Sequence, residues 1–532
     1  MTESRPWLKK YTINWNLEYP EVSLFEYLEQ NVVDPQRTAL VFYGTEISYG
    51  QMLDNIKRVA NFMAEKGIKK GDRIALMMPN CPQYVFTYYA AMRIGAIVTQ
   101  VNPMYTPSEL EFLINDSEAR LFFGVDVIYP TLKQVKNKGS LEEIVVANLM
   151  GGDMGDSTPF NEILQEYSPD PPPVDIKPRE DVAVFQYTGG TTGFPKGAML
   201  THYNLVANVT QLKEHIREWR EKNEGREKHA LGVLPFFHSY GMTCSMNAPL
   251  TMDTTVVLVP RFDVEEVLKL INQYKPGLFP AVPTMYIAIA NHPEAEKYGV
   301  DAIEVCNSGA APMPLEAMEA FEKKTGGMIL EGFGLSEASP VTHSNPLNGE
   351  RKPGSIGPPF PDTDSKIMDV ENGTTELPQG EEGELVLKGP QVMKGYWNRP
   401  EETAEVLRDG WLYTGDIAKM DEDGYFYIVD RKKDLIISGG YNIYPREVEE
   451  VLYENPKVLE AAVVGMKHSY YGEAVKAFVV LKEGETATEE EIIELCKQSL
   501  VKYKVPHEVK FKEELPKTNV GKLLRRELKK EE

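Results

Sequence analysis

The stretch Tyr187–Gly197 (YTGGTTGFPKG) constrains this chain more than any other. It follows the apolar run Val182–Phe185, which predicts a buried strand, and places three glycines, three threonines and a lysine within nine residues. Glycines let the backbone approach a ligand closely, and successive backbone N–H groups in such a turn suit an anion. Threonine hydroxyls and the Lys196 ammonium add donors for phosphate. The stretch therefore predicts a loop that cradles a polyphosphate.

This loop is not a Walker loop, because Gly197, rather than Ser or Thr, follows Lys196. A glycine- and threonine-rich turn between two strands is the structural alternative. The local sequence leaves both interpretations open, so the rest of the chain must show whether a nucleotide is involved.

Short apolar runs alternate with helical patterns through the first 180 residues and again from Gly232 to about Val341. The run Arg73–Met78 predicts a strand, Gln83–Ile94 a helix and Ala96–Val101 the next strand. This alternation is typical of parallel sheets with right-handed crossovers, so we expect an α/β fold.

The length of 532 residues is too great for one hydrophobic core. From about Gly354 to Tyr427, short strands with Gly, Pro and Asp turns predict a β-rich subdomain. The charged run 430–434 (DRKKD) then precedes about 100 residues with their own helices and strands, which include predicted helices at Pro445–Tyr453 and Glu489–Ser499. We expect a large N-terminal domain at residues 1–430, with α/β subdomains and the β-rich part at about 354–430, and a small mobile α+β domain at residues 431–532.

Composition excludes several classes of protein. The formal net charge of −23 argues against a general nucleic-acid-binding protein. The four cysteines are far apart and form no CxxC pair, which favours a reducing cytoplasm without structural disulfides or zinc. No apolar run of about 18 residues predicts a membrane span. We also expect no signal peptide at residues 1–11, and no targeting signal for the peroxisome or the endoplasmic reticulum at the last residues.

Two further segments contain residues suited to nucleotide chemistry. Lys522 directly follows Gly521, so it could be presented to a ligand, although a solvated lysine at a helix start is the commoner case. In the segment Glu331–Glu337 (EGFGLSE), Phe333 lies between two glycines and could stack on a base. Glu337 offers a hard oxygen ligand of the kind that Mg²⁺ prefers, although a core role for Phe333 is equally compatible with the pattern.

Two single residues are weaker candidates. Asp416 lies at the end of a predicted strand, where a carboxylate can accept hydrogen bonds from ribose hydroxyls, and an ordinary turn aspartate is the alternative. His238 lies among aromatic residues, where a core histidine is commoner than a catalyst. The motifs HExxH and GxGxxG, and a GxSxG elbow, are absent, so simple hydrolysis and nicotinamide chemistry are disfavoured.

Taken together, these stretches resemble the adenylate-forming superfamily of acyl-CoA synthetases, aryl-CoA ligases and beetle luciferases. The resemblance runs from about residue 20 to residue 527 and rests on five motifs in the family's order. They are Tyr187–His202 (phosphate loop), Glu331–Glu337 (adenine and magnesium), Trp411–Ala418 (ribose), Asp430–Glu449 (hinge and the loop after it) and Leu515–Arg526 (catalytic lysine). Within the superfamily, Asp409–Glu449 and the C-terminal tail are most similar to bacterial and archaeal long-chain fatty acid–CoA ligases.

The resemblance implies a role for each matching residue. The catalytic candidates are Lys522, Lys196 and His238. The ATP phosphates would contact Thr188, Gly189, Gly190, Thr191, Thr192, Gly193 and Lys196, and Mg²⁺ would be held by Thr188 and Glu337. Adenine and the adenylate would contact Ala310, Ala311, Glu331, Gly332, Phe333, Gly334, Leu335 and Ser336. Asp416 and Arg431 would bind ribose, Lys433 would lie at the hinge beside the nucleotide, and Gly439 and Gly440 would line the path of the CoA pantetheine. His238, Ser308 and Gly309 would border the acyl group.

Two positions depart from the family pattern, in which Tyr is usual at Phe333 and Thr at Ser336. The first change loses a hydroxyl but keeps a stacking face, and the second keeps the hydroxyl.

The resemblance implies an enzyme that uses ATP, Mg²⁺ and coenzyme A to convert a fatty acid of medium to long chain into acyl-CoA. An aryl-CoA ligase of the 4-coumarate type is the nearest alternative. A luciferase, an amino-acid-activating module and a catalytically silent nucleotide-binding protein are further alternatives. The resemblance also allows a homodimer and a transient peripheral contact with a membrane, and it implies no nucleic-acid partner.

Overall fold

The computed structural model describes residues 5–136, 139–188, 195–432, 434–438, 441–468, 471–517 and 523–531. The chain divides into two compact units. The first consists of residues 1–364 and 388–412, and the second of residues 365–387 and 413–532. The predicted boundary between residues 430 and 431 is not one of the divisions between these units, and it stays a prediction.

The first unit is an assembly of strands and helices in alternation. Its strands as far as residue 344 are β1 (Thr38–Phe42), β2 (Thr45–Ser48), β3 (Arg73–Leu76), β4 (Ile97–Gln100), β5 (Ala119–Val125), β6 (Glu143–Ala147), β7 (Thr158–Pro159), β8 (Val182–Thr188), β9 (Lys196–Thr201), β10 (His229–Gly232), β11 (Thr255–Leu258), β12 (Leu278–Ala281), β13 (Val305–Ser308), β14 (Met328–Gly334) and β15 (Val341–Ser344). Its α-helices are α1 (Leu24–Gln30), α2 (Tyr49–Glu65), α3 (Pro82–Ile94), α4 (Pro107–Ser117), α5 (Tyr129–Val135), α6 (Phe160–Glu166), α7 (His202–His215), α8 (Arg217–Lys222), α9 (Ala248–Leu250), α10 (Val264–Tyr274), α11 (Pro283–Asn291), α12 (Leu315–Thr325) and α13 (Pro400–Val406). A π-helical turn covers Gly241–Asn247, and a short 3₁₀ helix covers Ser336–Ala338.

Two large sheets form the core of this unit. One has the strand order β7-β6-β5-β3-β4-β8-β9, and the other has the order β15-β14-β13-β12-β10-β11-β1-β2. The inner strands are parallel, whereas β9 is antiparallel to β8, β15 to β14 and β2 to β1. The predicted α/β class with parallel sheets is therefore confirmed.

Asn80 connects the two sheets at the carboxyl ends of their strands. It follows β3 and is 2% exposed. Its amide nitrogen donates to the carbonyl oxygens of Gly232 and Leu234, both at 2.8 Å, and its amide oxygen accepts from Phe236 N–H at 2.9 Å. Because its partners are the last residue of β10 and two residues shortly after it, this buried amide fixes the start of the turn that contains His238.

The second unit contains two smaller sheets. The remaining strands of the chain are β16 (Asp364–Met368), β17 (Gly383–Lys388), β18 (Leu407–Arg408), β19 (Trp411–Met420), β20 (Phe426–Arg431), β21 (Ile436–Ser438), β22 (Tyr441–Ile443), β23 (Val458–His468), β24 (Gly472–Leu481) and β25 (Glu508–Phe511), and the remaining helices are α14 (Pro445–Tyr453), α15 (Glu489–Ser499) and α16 (Arg525–Lys529). β16, β17, β19 and β20 belong to one sheet, and the other has the order β22-β21-β24-β23 with β25 parallel to β24. This confirms the predicted β-rich part and the α+β part after it.

Helices α14 and α15 begin and end at the predicted residues. Val448 and Leu452 of α14, and Ile492 and Cys496 of α15, are buried in one apolar cluster with side chains of β23 and β24. The helical spacing of these apolar residues explains why the sequence predicted both helices correctly. Among the described residues, none of the helices combines the length and the hydropathy needed to cross a lipid bilayer.

Candidate functional site

A β-hairpin fixes both ends of the glycine-rich loop. β8 ends at Thr188, β9 begins at Lys196, and these two residues pair directly across the antiparallel ladder. Directly opposed residues project their side chains to the same face, so the Thr188 hydroxyl and the Lys196 ammonium flank the loop on one side. The loop therefore connects two strands, as the structural alternative proposed. A loop in this position is also compatible with a phosphate cradle. Gly189, Gly190, Thr191, Thr192 and Gly193 lie outside the described residues, so the phosphate contact stays a prediction.

Tyr396 connects Lys196 to Glu337. Tyr396 is 9% exposed, and its hydroxyl donates to Glu337 Oε1 at 2.7 Å. The Lys196 Nζ lies 5.4 Å from the centre of the same ring, within the range of a cation–π interaction. Burial and then the Glu337 carboxylate raise the pKa of Tyr396, so the phenol stays protonated and donates at any physiological pH. Three residues that are far apart in sequence therefore form one cluster.

Residues 393–397, which we call the strap, hold this cluster in place. The strap runs along the free edge of β9 and reaches the helical turn that carries Glu337. Its backbone hydrogen bonds are Met393 N to Glu337 O (2.8 Å), Lys394 N to Met199 O (2.9 Å), Met199 N to Gly395 O (2.9 Å) and Trp397 N to Gly197 O (2.8 Å). The strap thus joins the β8–β9 hairpin to Glu337 through the main chain.

Asp116 anchors the far end of the strap. Its carboxylate accepts from the Tyr187 hydroxyl and from Arg399 Nη2, both at 2.7 Å. Its backbone oxygen accepts from Trp397 Nε1 at 2.9 Å. Asp116 therefore connects the residue next to Thr188 with residues at and just after the end of the strap.

The predicted adenine segment lies at the carboxyl ends of two neighbouring parallel strands. Ser308, the last residue of β13, pairs with Glu331 of β14. The next residues, Gly309 and Ala310, leave the sheet, and Ala310 has the left-handed φ of 69°. Ala311 is exposed. This edge is where ligands of open α/β sheets bind.

Backbone packing explains both glycines of this segment. A Cβ atom on Gly334 would lie 2.4 Å from Pro340 O, and one on Gly332 would lie 3.1 Å from His343 O. Phe333, between them, places its ring edge-on to His343 with centroids 6.2 Å apart. Backbone packing therefore requires glycine at 334 and disfavours a larger residue at 332, whether or not a base lies against Phe333. Leu335 and Ser336 follow this ladder and are partly exposed.

Glu331 holds the start of the predicted adenine segment through hydrogen bonds to other parts of the chain. Its carboxylate is buried, and Oε2 accepts from Gly354 N–H at 2.9 Å. Its backbone oxygen accepts from Asn345 N–H at 2.8 Å. A structural role is thus visible for Glu331, and its predicted contact with the adenylate stays a prediction.

His238 lies close to the same strand ends. Its Nδ1 accepts from Tyr240 N–H at 3.3 Å. Its neighbour Ser239 places Oγ 3.3 Å from Ser336 Oγ. The Tyr240 ring faces Gly309, where an added Cβ would lie 3.4 Å from it. The structure therefore brings the turn that carries His238 to both the adenine segment and the predicted border of the acyl site.

The second unit holds the predicted ribose residues. Asp416 and Arg431 pair across β19 and β20, with Arg431 Nε 3.5 Å from Asp416 Oδ1. Glu384 lies beside them, since its carboxylate accepts from Gly415 N–H at 3.1 Å and from Lys432 Nζ at 2.9 Å. The structure thus brings Asp416 and Arg431 together, as the ribose prediction requires. Lys433, Gly439 and Gly440 lie outside the described residues.

Lys522 also lies outside the described residues, but the chain on either side of it is anchored. Lys517 and Leu523 form an isolated antiparallel bridge, and Leu524 N–H donates to Pro516 O at 2.8 Å. Arg525 then donates to both carboxylate oxygens of Glu449, at 2.8 and 2.7 Å.

Sequence reasoning missed the supporting roles of Tyr396 and Asp116 in the first unit and of Arg525 in the second. No local pattern indicates these roles, because the partners of all three residues are distant in sequence. No group of three or more His, Cys, Asp and Glu side chains arranged to hold a metal is present in the described part of the chain.

The two large, mainly parallel sheets, the β-rich part, the cluster around Glu337 and the Asp416–Arg431 pair fit the class of adenylate-forming enzymes. The chain belongs to the AMP-binding enzyme family: the family profile matches residues 28–397, and the profile of the AMP-binding enzyme C-terminal domain matches residues 447–522.

Relatives match over almost the full length of the chain. A long-chain-fatty-acid–CoA ligase of Bacillus subtilis is 45% identical, with 100% of this chain and 99% of the relative covered. The enzyme of the same name from Salmonella typhimurium is 38% identical, with 99% and 98% covered. Among solved structures, ATP-bound MatB from Rhodopseudomonas palustris is 31% identical with a TM-score of 0.87, covering 96% of this chain and 99% of that one. A fatty acyl CoA synthetase from Mycobacterium tuberculosis is 30% identical with a TM-score of 0.75, covering 96% and 98%.

Proposed function

We propose that this chain is an ATP-dependent fatty acid–CoA ligase acting on acids of medium to long chain. It forms an acyl-adenylate and then transfers the acyl group to coenzyme A, releasing pyrophosphate and AMP. The observation that carries the proposal is the full-length similarity, at 45% identity, to a long-chain-fatty-acid–CoA ligase.

The first step is attack of a carboxylate oxygen on the α-phosphorus of ATP, with pyrophosphate as the leaving group. A free carboxylate is a poor acyl donor, and AMP gives it a good leaving group. The protein contributes positioning and charge stabilisation. In this proposal Lys522 neutralises charge between the carboxylate and the α-phosphate. Thr188, Lys196 and the glycines of the loop hold the β- and γ-phosphates.

The residues present fit a magnesium ion. Glu337 is partly exposed, and only its Oε1 has a partner among the described residues, the Tyr396 hydroxyl. One carboxylate and the Thr188 hydroxyl suit Mg²⁺, which keeps several waters and binds mainly through substrate phosphates. When bound, the ion would neutralise charge on the phosphate oxygens.

The second step is attack of the CoA thiol on the carbonyl carbon of the acyl-adenylate, which releases AMP. We propose that the C-terminal part of the chain turns about Lys433 between the two steps. Gly439 and Gly440 would then line the path of the pantetheine. A hinge requires only a few residues that absorb large changes in φ and ψ.

His238, Ser308 and Gly309 would border the acyl group. An apolar path beyond them would select chain length, since each buried CH₂ contributes roughly 0.8 kcal/mol. Ala310, Ala311 and the segment 331–336 would surround adenine, and Asp416 and Arg431 would bind the ribose.

An aryl-CoA ligase is the second candidate function. Similarity to a feruloyl-CoA synthase of an Amycolatopsis species favours it. That protein is 36% identical to this chain, and the match covers 93% of this chain and 96% of that protein. Aryl acids would need a short flat pocket where fatty acids need a long one.

One assay separates these candidates. The purified chain is given ATP, Mg²⁺, CoA and acids from acetate to palmitate, together with ferulate and coumarate, and AMP is measured. We expect CoA-dependent AMP formation to be greatest with medium or long fatty acids. Faster turnover of ferulate or coumarate would favour the aryl-CoA ligase, and no CoA-dependent AMP with any acid would favour a silent nucleotide-binding protein.

We further propose a cytoplasmic location, because all four cysteines are free, buried thiols, as suits a reducing compartment. A homodimer and transient contact with a membrane surface belong to this proposal as well. Sedimentation and vesicle flotation would test them.

A further inference from the structure

We propose that Tyr396 is the positioning residue that sets Glu337 and Lys196 relative to each other for binding of the metal–ATP complex. Its hydroxyl donates to Glu337 Oε1 at 2.7 Å, and its ring lies 5.4 Å from Lys196 Nζ. One side chain thus touches both the predicted metal ligand and the predicted phosphate ligand. The inference rests on the proposed function in taking ATP as the nucleotide, Glu337 as a metal ligand and Lys196 as a phosphate ligand.

The hydroxyl acts on the Glu337 carboxylate. It occupies Oε1, and Oε2 accepts no hydrogen bond from any residue that the structure describes. A carboxylate held by one oxygen presents the other in a fixed direction, which suits the single-oxygen ligation and strict geometry of Mg²⁺. Partners that orient a ligating carboxylate typically change metal affinity by about 10- to 100-fold when they are removed.

The ring acts on the Lys196 side chain. A lysine ammonium sits on a flexible four-carbon stem, so its position is weakly defined without a contact. The face of the Tyr396 ring provides that contact, because the π-electrons attract a cation. The ammonium is thereby kept on the side of the hairpin where Thr188 also projects.

The main chain fixes Tyr396 itself. The strap is bonded to β9 on both sides of this residue, at Lys394 and at Trp397. The Tyr396 N–H donates to Thr403 Oγ1 at 2.9 Å. The ring therefore has little freedom to follow its two partners, and they must adapt to it, which is the property expected of a positioning residue.

The test measures binding of Mn²⁺, used in place of Mg²⁺, to the protein in the presence of ATP by electron paramagnetic resonance. The variant Tyr396→Phe removes the hydroxyl and keeps the ring. We expect Mn²⁺ affinity to fall about tenfold, while the midpoint of thermal unfolding changes little. The matched control is Tyr129→Phe, which removes another phenol that donates to a carboxylate, that of Asp156 at 2.9 Å, away from the site. The control should bind Mn²⁺ as the parent does.

A double-mutant cycle with Glu337→Gln tests whether Tyr396 acts through Glu337. If it does, Tyr396→Phe weakens Mn²⁺ binding far less in the Glu337→Gln background than in the parent. Equal losses in both backgrounds would overturn the inference, as would Mn²⁺ affinity in Tyr396→Phe within twofold of the parent. The variant Tyr396→Leu, which also removes the ring, should raise the Kd for ATP beyond the value for Tyr396→Phe.

The two proposals fail in different ways. The binding measurement needs no acyl substrate and no CoA. A parent chain that binds Mn²⁺ and ATP as expected, but activates no acid, would overturn the proposed function alone. A parent chain that binds no Mn²⁺ with ATP would overturn the inference.

Discussion

The proposed chemistry depends on two lysines in very different settings. Lys196 is the first residue of β9 and stands opposite Thr188 in a regular ladder. Lys522 lies between Lys517 and Leu523, which pair across a bridge. A compact cation on a flexible stem suits both proposed roles, that of Lys196 at the phosphates and that of Lys522 at the carboxylate.

The first prediction concerns Lys522. The variant Lys522→Ala should lower the rate of acyl-adenylate formation by about 100-fold or more, because a charge that stabilises the transition state is lost. It should spare the transfer to CoA of acyl-adenylate that is supplied ready made. Single-turnover pyrophosphate release and thioester formation measure the two steps, with the exposed Lys530→Ala as control. Equal loss of both steps would refute this role.

A second prediction concerns the ion pair of Arg525 and Glu449. Both are largely buried, and burial raises the pKa of Glu449 while the Arg525 charge opposes that rise. The variant Arg525→Leu leaves this carboxylate buried without its cation, so we expect a loss of about 3–5 kcal/mol in the free energy of unfolding. Urea unfolding followed by fluorescence would measure it. Arg526→Leu, at the exposed neighbour, should cost less than about 0.5 kcal/mol, and similar losses in both variants would contradict the prediction.

At the level of secondary structure, local sequence patterns predicted the helices and strands that depend on neighbouring residues. Strand β8, helix α3 and helices α14 and α15 follow from apolar runs and helical spacing. The strap does not, because it has no periodic pattern and its partners are elsewhere in the chain. The contact of Trp397, in the strap, with Asp116 spans 281 positions of sequence.

The same limit applies to the site. Motif order indicated the segments around Thr188, Glu337 and Asp416, and the structure pairs Thr188 with Lys196 and Asp416 with Arg431. The role of Tyr396 in the cluster could not be predicted, because a tyrosine between Gly395 and Trp397 is typical of an ordinary loop. Only the pairing of the strap with β9 places it beside Glu337.

A third prediction concerns the proposed hinge. The variant Lys433→Pro fixes φ near −65° and should slow thioester formation by about tenfold or more while adenylate formation changes less. Lys433→Ala removes the same ammonium without fixing φ, so it separates loss of charge from loss of backbone freedom. Single-turnover rates for the two steps provide the measurement. An unchanged thioester rate in Lys433→Pro would remove Lys433 as the hinge.

Across the whole molecule, three buried histidines make stability depend on pH. Burial lowers the pKa of His202 to about 4, of His215 to about 4 and of His343 to about 3. Each is neutral in the folded chain, whereas in the unfolded chain a histidine titrates near its usual pKa of about 6.5. The unfolded chain therefore binds more protons between these values, and acid favours unfolding.

The fourth prediction is that acid destabilises the folded chain through these histidines. The contribution of these residues is fully present above pH 6.5 and is lost as the pH falls from about 6.5 towards 4, by at most about 1.4 kcal/mol per pH unit for each imidazole. The urea concentration at the midpoint of unfolding should fall as the pH is lowered from 8 to 5. His215→Gln should reduce the slope by about a third. A midpoint that stays constant from pH 7 to pH 5 would contradict the prediction.

The strap has a consequence for the behaviour of this protein in concentrated solution. An uncovered strand at the border of a sheet offers its unpaired amides and carbonyls to other chains, and so invites aggregation. In the seven-stranded sheet one border, β9, is already paired with the strap, and the other, β7, has only two residues and ends in Pro159. Neither border therefore offers a long unpaired strand with which a second molecule could form backbone hydrogen bonds. The strap, which holds Glu337 and Tyr396 of the proposed nucleotide site, thus also protects the sheet from pairing with another chain, and a chain shortened before residue 393 would lose both properties together.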